Sequence, residues 1–128
     1  MDATQALAEL KELSSQVERA VVLGAADAVL GSTEETANAD ELARSALDAL
    51  AAASELHASS AEVTRVEVEL AEGGLFVLRE GARTIAATTG PNPTAGLVAY
   101  DLRTCLQEID EEKPKRRRAR KKTDEEKE

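Results

Sequence analysis

Tryptophan is missing altogether, and the 128-residue chain holds a single Phe, Tyr, His, Met and Cys. With aromatics at 2%, the core must come from Leu, Val, Ile and the abundant alanines, which favours closely approaching elements over bulky pockets. Cys105 has no second cysteine, so an internal disulfide is excluded. No N-terminal apolar run or basic segment suggests a signal peptide, and a reducing, cytoplasmic location is the expectation. No apolar run approaches the ~20 residues that a bilayer span requires. The lone histidine, His57, supplies neither a metal cluster nor a catalytic triad. It reads as a solvated residue near a helix C-terminus, where the dipole favours imidazolium. No glycine pattern of the dinucleotide-binding or P-loop kind opens a helix. The expected catalytic, metal and cofactor residues are therefore none, and the protein reads as a non-enzyme.

Charge is unevenly divided. The chain carries net -9, yet Glu111 to Glu128 holds 9 basic and 6 acidic residues, leaving net -12 on Met1 to Asp110. An acidic body repels phosphates and argues against direct nucleic-acid binding by the domain. The division sets the expected boundary: a domain over 1–110 and a disordered tail over 111–128. In that tail Lys115, Arg116, Arg117, Arg118, Arg120, Lys121 and Lys122 form a run able to hold nucleic acid or an anionic surface. No aromatic side chain is interleaved with them to stack bases.

The stretch VTRVEVELAEGGLFVLREGARTIAATT, from Val63 to Thr89, organises the rest. Val66, Val68 and Leu70 alternate with Arg65, Glu67 and Glu69, the period of an edge strand with one wet face. Glu72, Gly73 and Gly74 supply a turn, and Leu75 to Leu78 is an unbroken apolar run, expected to be buried on both faces. Glu80, Gly81 and Ala82 turn the chain again into a third strand, Thr84 to Thr89. A sheet covered on both sides needs helices on both sides.

Upstream, Asp2 and Gln5 have capping-box spacing, and Ala3, Leu7, Leu10 and Ser14 mark one face of a first helix. Val17 to Gly24 and Ala28 to Leu30 read as a hairpin whose turn lies at Ala25, Ala26 and Asp27, where only Asp27 suits left-handed geometry. Asn38 and Glu41 give a second capping-box spacing, predicting a helix from about Ala39 to Leu56. Its apolar residues cover about half the circumference at ~100° per residue, more than a sheet alone requires. A sheet plus a second subunit would account for that width. Asn92 as N-cap and Pro93 at the first helical position predict a last helix, with Val98, Leu102, Cys105, Leu106 and Ile109 facing the core. The order is αββαβββα, an α+β sandwich.

VERAVVLGAADAVLGST, ADELARSALDALAAASEL and GGLFVLREGARTIAATTGPNPTAGLVAYDLR together resemble the roadblock/LC7 family, whose bacterial members include regulators of small Ras-like GTPases. The resemblance spans Thr4 to about Ile109. It departs at Ala26 and Asp27, where the family often has an Asp-Gly turn. It implies a profilin-like fold: a five-stranded antiparallel sheet with the long middle helix on one face and the first and last helices on the other. It also implies a homodimer in which the third strand pairs with its copy and the middle helices pack side by side. Candidate interface residues are then Ala43, Leu47, Leu50, Arg65, Val66, Glu67 and Val68.

The expected function is a dimeric scaffold that binds a small Ras-like GTPase and modulates it, GTPase activation being one form. Glu41, Arg44, Asp48 and Glu55 on the outer helix face are the candidate contacts. Arg44 could serve as an arginine finger, or more plainly as the i,i+4 partner of Asp48. The alternative is a structural adaptor whose basic tail binds nucleic acid or an anionic surface.

Overall fold

The computed structural model describes residues 1–56 and 63–110. His57 and the tail, including Lys115, Arg116, Arg117, Arg118, Arg120, Lys121 and Lys122, lie outside the described residues. The elements are α1 (Ala3–Leu13), β1 (Val17–Leu23), a 3-10 turn (Ala25–Asp27), β2 (Val29–Ser32), α2 (Thr36–Ser54), β3 (Arg65–Leu70), β4 (Gly73–Glu80), β5 (Arg83–Thr89) and α3 (Ala95–Glu108). The strands form one antiparallel sheet in the order β2-β1-β5-β4-β3. The αββαβββα order and the edge position of β3 follow the reading of the sequence.

Strand alternation sorts the apolar residues into two cores. Val22, Phe76, Leu78, Ile85 and Ala87 meet α1 and α3 on one face. Val21, Leu23, Val77 and Ala86 meet Leu42, Ala43, Ala46 and Leu50 of α2 on the other. β4, the apolar run, feeds both. Val17 and Ala20 face the same core although strict alternation would separate them, because the pairing of β1 with β5 slips between Val17 and Arg19.

α1 starts where its capping box predicts. The Asp2 carboxylate accepts from the Gln5 N–H at 2.8 Å, and Gln5 Oε1 accepts from the Asp2 N–H at 3.0 Å. Ala3, Ala6, Leu7 and Leu10 are its buried stripe.

Four local readings need correction. α2 begins at Thr36 with Glu35 as N-cap and no side-chain cap, so the Asn38 and Glu41 box does not form. The helix is already under way at Asn38, with the Ala39 N–H on the Glu35 carbonyl at 2.8 Å, so the Asp40 and Glu41 N–H groups that Asn38 would cap lie inside α2 and bond carbonyls one turn back. α3 begins at Ala95 with Thr94 as N-cap, not at Asn92 and Pro93. Proline disfavours the right-handed helical region for the residue before it, and Asn92 turns the chain with φ 57°. The Thr94 N–H is taken by Gln16 Oε1 at 2.6 Å.

The hairpin between β3 and β4 turns at Ala71 and Glu72, not at Glu72, Gly73 and Gly74, with Leu70 opposite Gly73. Gly73 and Gly74 belong to β4. Gly73 is needed for a close approach, since a Cβ there would lie 2.1 Å from the Thr89 carbonyl oxygen. Last, Ala26 shares the left-handed region with Asp27, at φ 59° and 60°.

Candidate functional site

α2 is nineteen residues long, and its sheet side is occupied by Ala39, Leu42, Ala43, Ala46 and Leu50. Of the three α2 residues suggested for an interface, Ala43 and Leu50 are therefore buried against the chain's own sheet. Leu47 is half-buried at the margin, as are Ala49 and Ala53. The outer stripe holds Glu41, Arg44, Asp48 and Glu55, all exposed. Helical spacing brings the first three onto one side, while Glu55 is the C-cap residue, its N–H bonding the Ala52 carbonyl at 3.3 Å and the Leu56 N–H bonding the Ala53 carbonyl at 3.1 Å. Its charge sits at the negative end of the helix dipole, where a cation is the favoured occupant.

Arg44 and Asp48 do not pair: the ion pairs among the described residues involve other side chains. An arginine N-terminal to its acid is the poorer i,i+4 orientation, and such surface pairs contribute only a few tenths of a kcal/mol. Arg44 is left as an unengaged cation within an acidic stripe.

Beside α2 lies one of the sheet's two edges. β3 pairs only with β4, leaving outward-facing backbone donors and acceptors along its other side. The register sets Val66 opposite Val77 and Val68 opposite Leu75, so Val66, Val68 and Leu70 share the α2 face of the sheet. Val66 packs against that core, but Val68 is 37% and Leu70 61% exposed. In the row of Val68, Leu75 and Thr88, Thr88 Oγ1 is buried without a hydrogen-bond partner. The other face of β3 is polar, and Arg65 Nε lies 3.0 Å from Glu67 Oε2. The candidate interface thus consists of Val66 and Val68 on one face, Arg65 and Glu67 on the other, and Leu47 above.

A second feature was not legible from the sequence. α1 and α3 enclose a groove of about 110 Å³ with Glu9, Leu13, Tyr100, Asp101 and Glu108 on its walls and Cys105 at its base. The Glu9 carboxyl is held above the ordinary carboxylate range, first by a side-chain hydrogen bond with Glu108 and then by that residue's like charge. Cys105 is buried in the α1 and α3 core, as its stripe predicted. Burial, reinforced by the charges of Glu108 and Glu9, pushes its thiol up to about 12, which removes it as a nucleophile at neutral pH. No helix among the described residues is long and apolar enough to cross a membrane.

No sequence model of a protein family matches the chain, and no curated protein matches it in sequence. Solved structures do resemble it. A roadblock/LC7 domain from Streptomyces avermitilis superposes with a TM-score of 0.72 at 20% identity, over 84% of this chain and 93% of that one. MglB with a tetrameric arrangement gives 0.61 at 16% identity, over 82% of each chain. The gliding protein MglB from Thermus thermophilus gives 0.59 at 17% identity, over 80% of this chain and 82% of that one. The fold is that of the roadblock/LC7 domains.

Proposed function

We propose that the protein is a non-enzymatic, dimeric scaffold that binds a small Ras-like GTPase and modulates its activity, acceleration of hydrolysis included. The roadblock/LC7 fold supports this reading, since bacterial members of the resembled family include regulators of such GTPases. One observation carries it furthest: Val68 and Leu70 on the edge strand, with Leu47 at the rim of α2, form an apolar margin that the protomer leaves uncovered. Pairing β3 with its copy would satisfy the open edge and cover that margin, and would set the two α2 helices side by side. Their outer stripes, each with Glu41, Arg44, Asp48 and Glu55, would then form one continuous polar surface. That surface is the proposed GTPase contact, and the unengaged Arg44 is its one cation suited to phosphoryl charge.

The test has two stages. Light scattering on the full chain should return a dimer, and Val68→Arg a folded monomer. Small Ras-like GTPases of the same organism, loaded with GDP or a non-hydrolysable GTP analogue, would then be titrated against the wild type and the double variant Arg44→Glu, Asp48→Lys. Weakened binding by the folded double variant supports the α2 surface, whereas unchanged binding removes it. Hydrolysis measured with Arg44→Ala separates activation from scaffolding. A dimer that binds no GTPase leaves a scaffold only.

A further inference from the structure

We propose that the basic segment 113–122 docks into the groove between α1 and α3 of its own chain, and so withholds its cations from other anionic partners. The groove and the segment are complementary in charge and are joined at one end. Met1, at the start of α1, lies against the end of α3: its ammonium is 2.9 Å from the Asp110 carboxylate, and the Asp110 N–H bonds the Met1 carbonyl at 2.8 Å. The two helices therefore run antiparallel. The groove between them extends from Glu108, beside the point where the tail departs, to Leu13 and Tyr100 at the far end.

That departure point is fixed. Arg83 of β5 donates from both terminal nitrogens, to the Ile109 carbonyl at 2.9 Å and the Asp110 carbonyl at 2.5 Å. From Glu108 back to Tyr100 is about 12 Å along the helix. Ten extended residues cover roughly 30 Å, so the segment spans the groove with length to spare.

No lining side chain of the groove is a cation, and the Met1 ammonium at its Glu108 end is taken by the Asp110 carboxylate and the Glu108 carbonyl. α1 has one basic residue and α3 one, and both are engaged elsewhere. Lys11 Nζ donates to the Glu18 carbonyl at 2.7 Å, and Arg103 Nε to Glu80 at 2.9 Å. Glu9, Asp101 and Glu108 form no ion pair among the described residues. Glu9 and Glu108 stand close enough to share a proton, an arrangement that an intervening cation would relieve. At the far end Leu13 is 72% and Tyr100 66% exposed. Those surfaces suit the methylene stems of lysine and arginine, and the Tyr100 ring face suits a guanidinium. The acidic stripe of α2 is a poorer host because Arg44 interrupts it.

The test uses the full chain carrying Ala119→Cys with a nitroxide label; Cys105, at 3% exposure, stays unlabelled. Amide spectra at low salt should lose intensity at Glu9, Leu13, Tyr100 and Thr104, and recover it at high salt, where exposed charges are screened. The same label in a chain with Glu9→Gln, Asp101→Asn and Glu108→Gln should leave those amides intact. Broadening along α2 or β3 instead, uniform broadening, or persistence in the triple variant would overturn the proposal. So would broadening seen only when a labelled chain is mixed with an isotopically marked, label-free chain, which would put the segment in a neighbour's groove.

Discussion

Arg79 of β4 reaches Asp27 in the first hairpin turn, with 3.3 Å between guanidinium and carboxylate. The same guanidinium donates from Nε to Thr84 Oγ1 at 3.0 Å, so the turn is tied to the neighbouring strands through one side chain. Asp27 is about half exposed, which limits the ion pair to at most ~1 kcal/mol. Left-handed backbone at Ala26 costs a similar amount. The pairing therefore roughly offsets the strain of a turn without glycine.

Ala26→Gly should accordingly stabilise the fold by about 1 kcal/mol, since glycine takes φ 59° without a Cβ penalty. Urea denaturation would register it as a higher midpoint with an unchanged slope. A lowered midpoint would mean that the turn conformation described above is wrong.

Gly73→Ala should destabilise by ~1–3 kcal/mol. Its Cβ would lie 2.1 Å from a backbone carbonyl of β5, an atom that cannot rotate away. Thermal unfolding would show the loss. Gly81→Ala, where a Cβ meets nothing within 4 Å, isolates the effect of φ 61° alone and serves as the comparison.

The Glu9 and Glu108 pair predicts a pH-dependent effect whose sign is fixed. In the folded state the Glu9 carboxyl is raised above its ordinary value of 4.5, so the folded chain binds more protons than the unfolded one just above that pH. Stability contributed by this group is present below the unfolded value and is lost as pH rises through the folded one. In a chain ending at Asp110, where segment 113–122 offers Glu9 no cation, Glu9→Gln removes the like-charge contact and should raise the melting temperature at pH 7. The gain should shrink as pH falls through the raised folded value and be gone below 4.5, where the carboxyl is protonated in both states. Melting curves across that range decide the matter, and an equal gain at every pH would count against the pairing.

Cys105 should resist alkylation in the native protein. With the thiol pushed up to about 12 from 9.0, the folded chain has roughly a thousandfold less thiolate than the unfolded chain at pH 8. Iodoacetamide labelling followed by mass spectrometry should show slow modification that becomes rapid in denaturant. Equally fast labelling in both states would contradict the burial.

Sequence patterns worked best where a local rule coincided with tertiary packing. The Asp2 and Gln5 box, the alternation of Val66, Val68 and Leu70, and the apolar run of β4 each state a periodicity that the fold retains. Helix starts were harder because neighbouring segments decide them. Thr36 and Ala37 continue α2 upstream of the expected cap, after Ser32 Oγ accepts from the Glu34 N–H at 2.8 Å and Thr33 bonds back to Ala20. Gln16 likewise fixes Thr94 from across the molecule. The spacing of Glu41, Arg44 and Asp48 was legible, whereas the absence of the Arg44 to Asp48 pair was not, since that contact has little energy behind it. The acidic groove left no trace in the pattern: Glu9 and Glu108 come from opposite ends of the chain and meet only once α1 and α3 pack together.

Tyr100 stands in that groove, 66% exposed, in a chain with no tryptophan and no other tyrosine. The molecule's intrinsic ultraviolet emission therefore originates almost wholly from one spot on its surface. An emission change at constant secondary structure would report what touches the α1 and α3 groove, while the interior, built from Leu, Val, Ile and Ala with one Phe, stays optically dark.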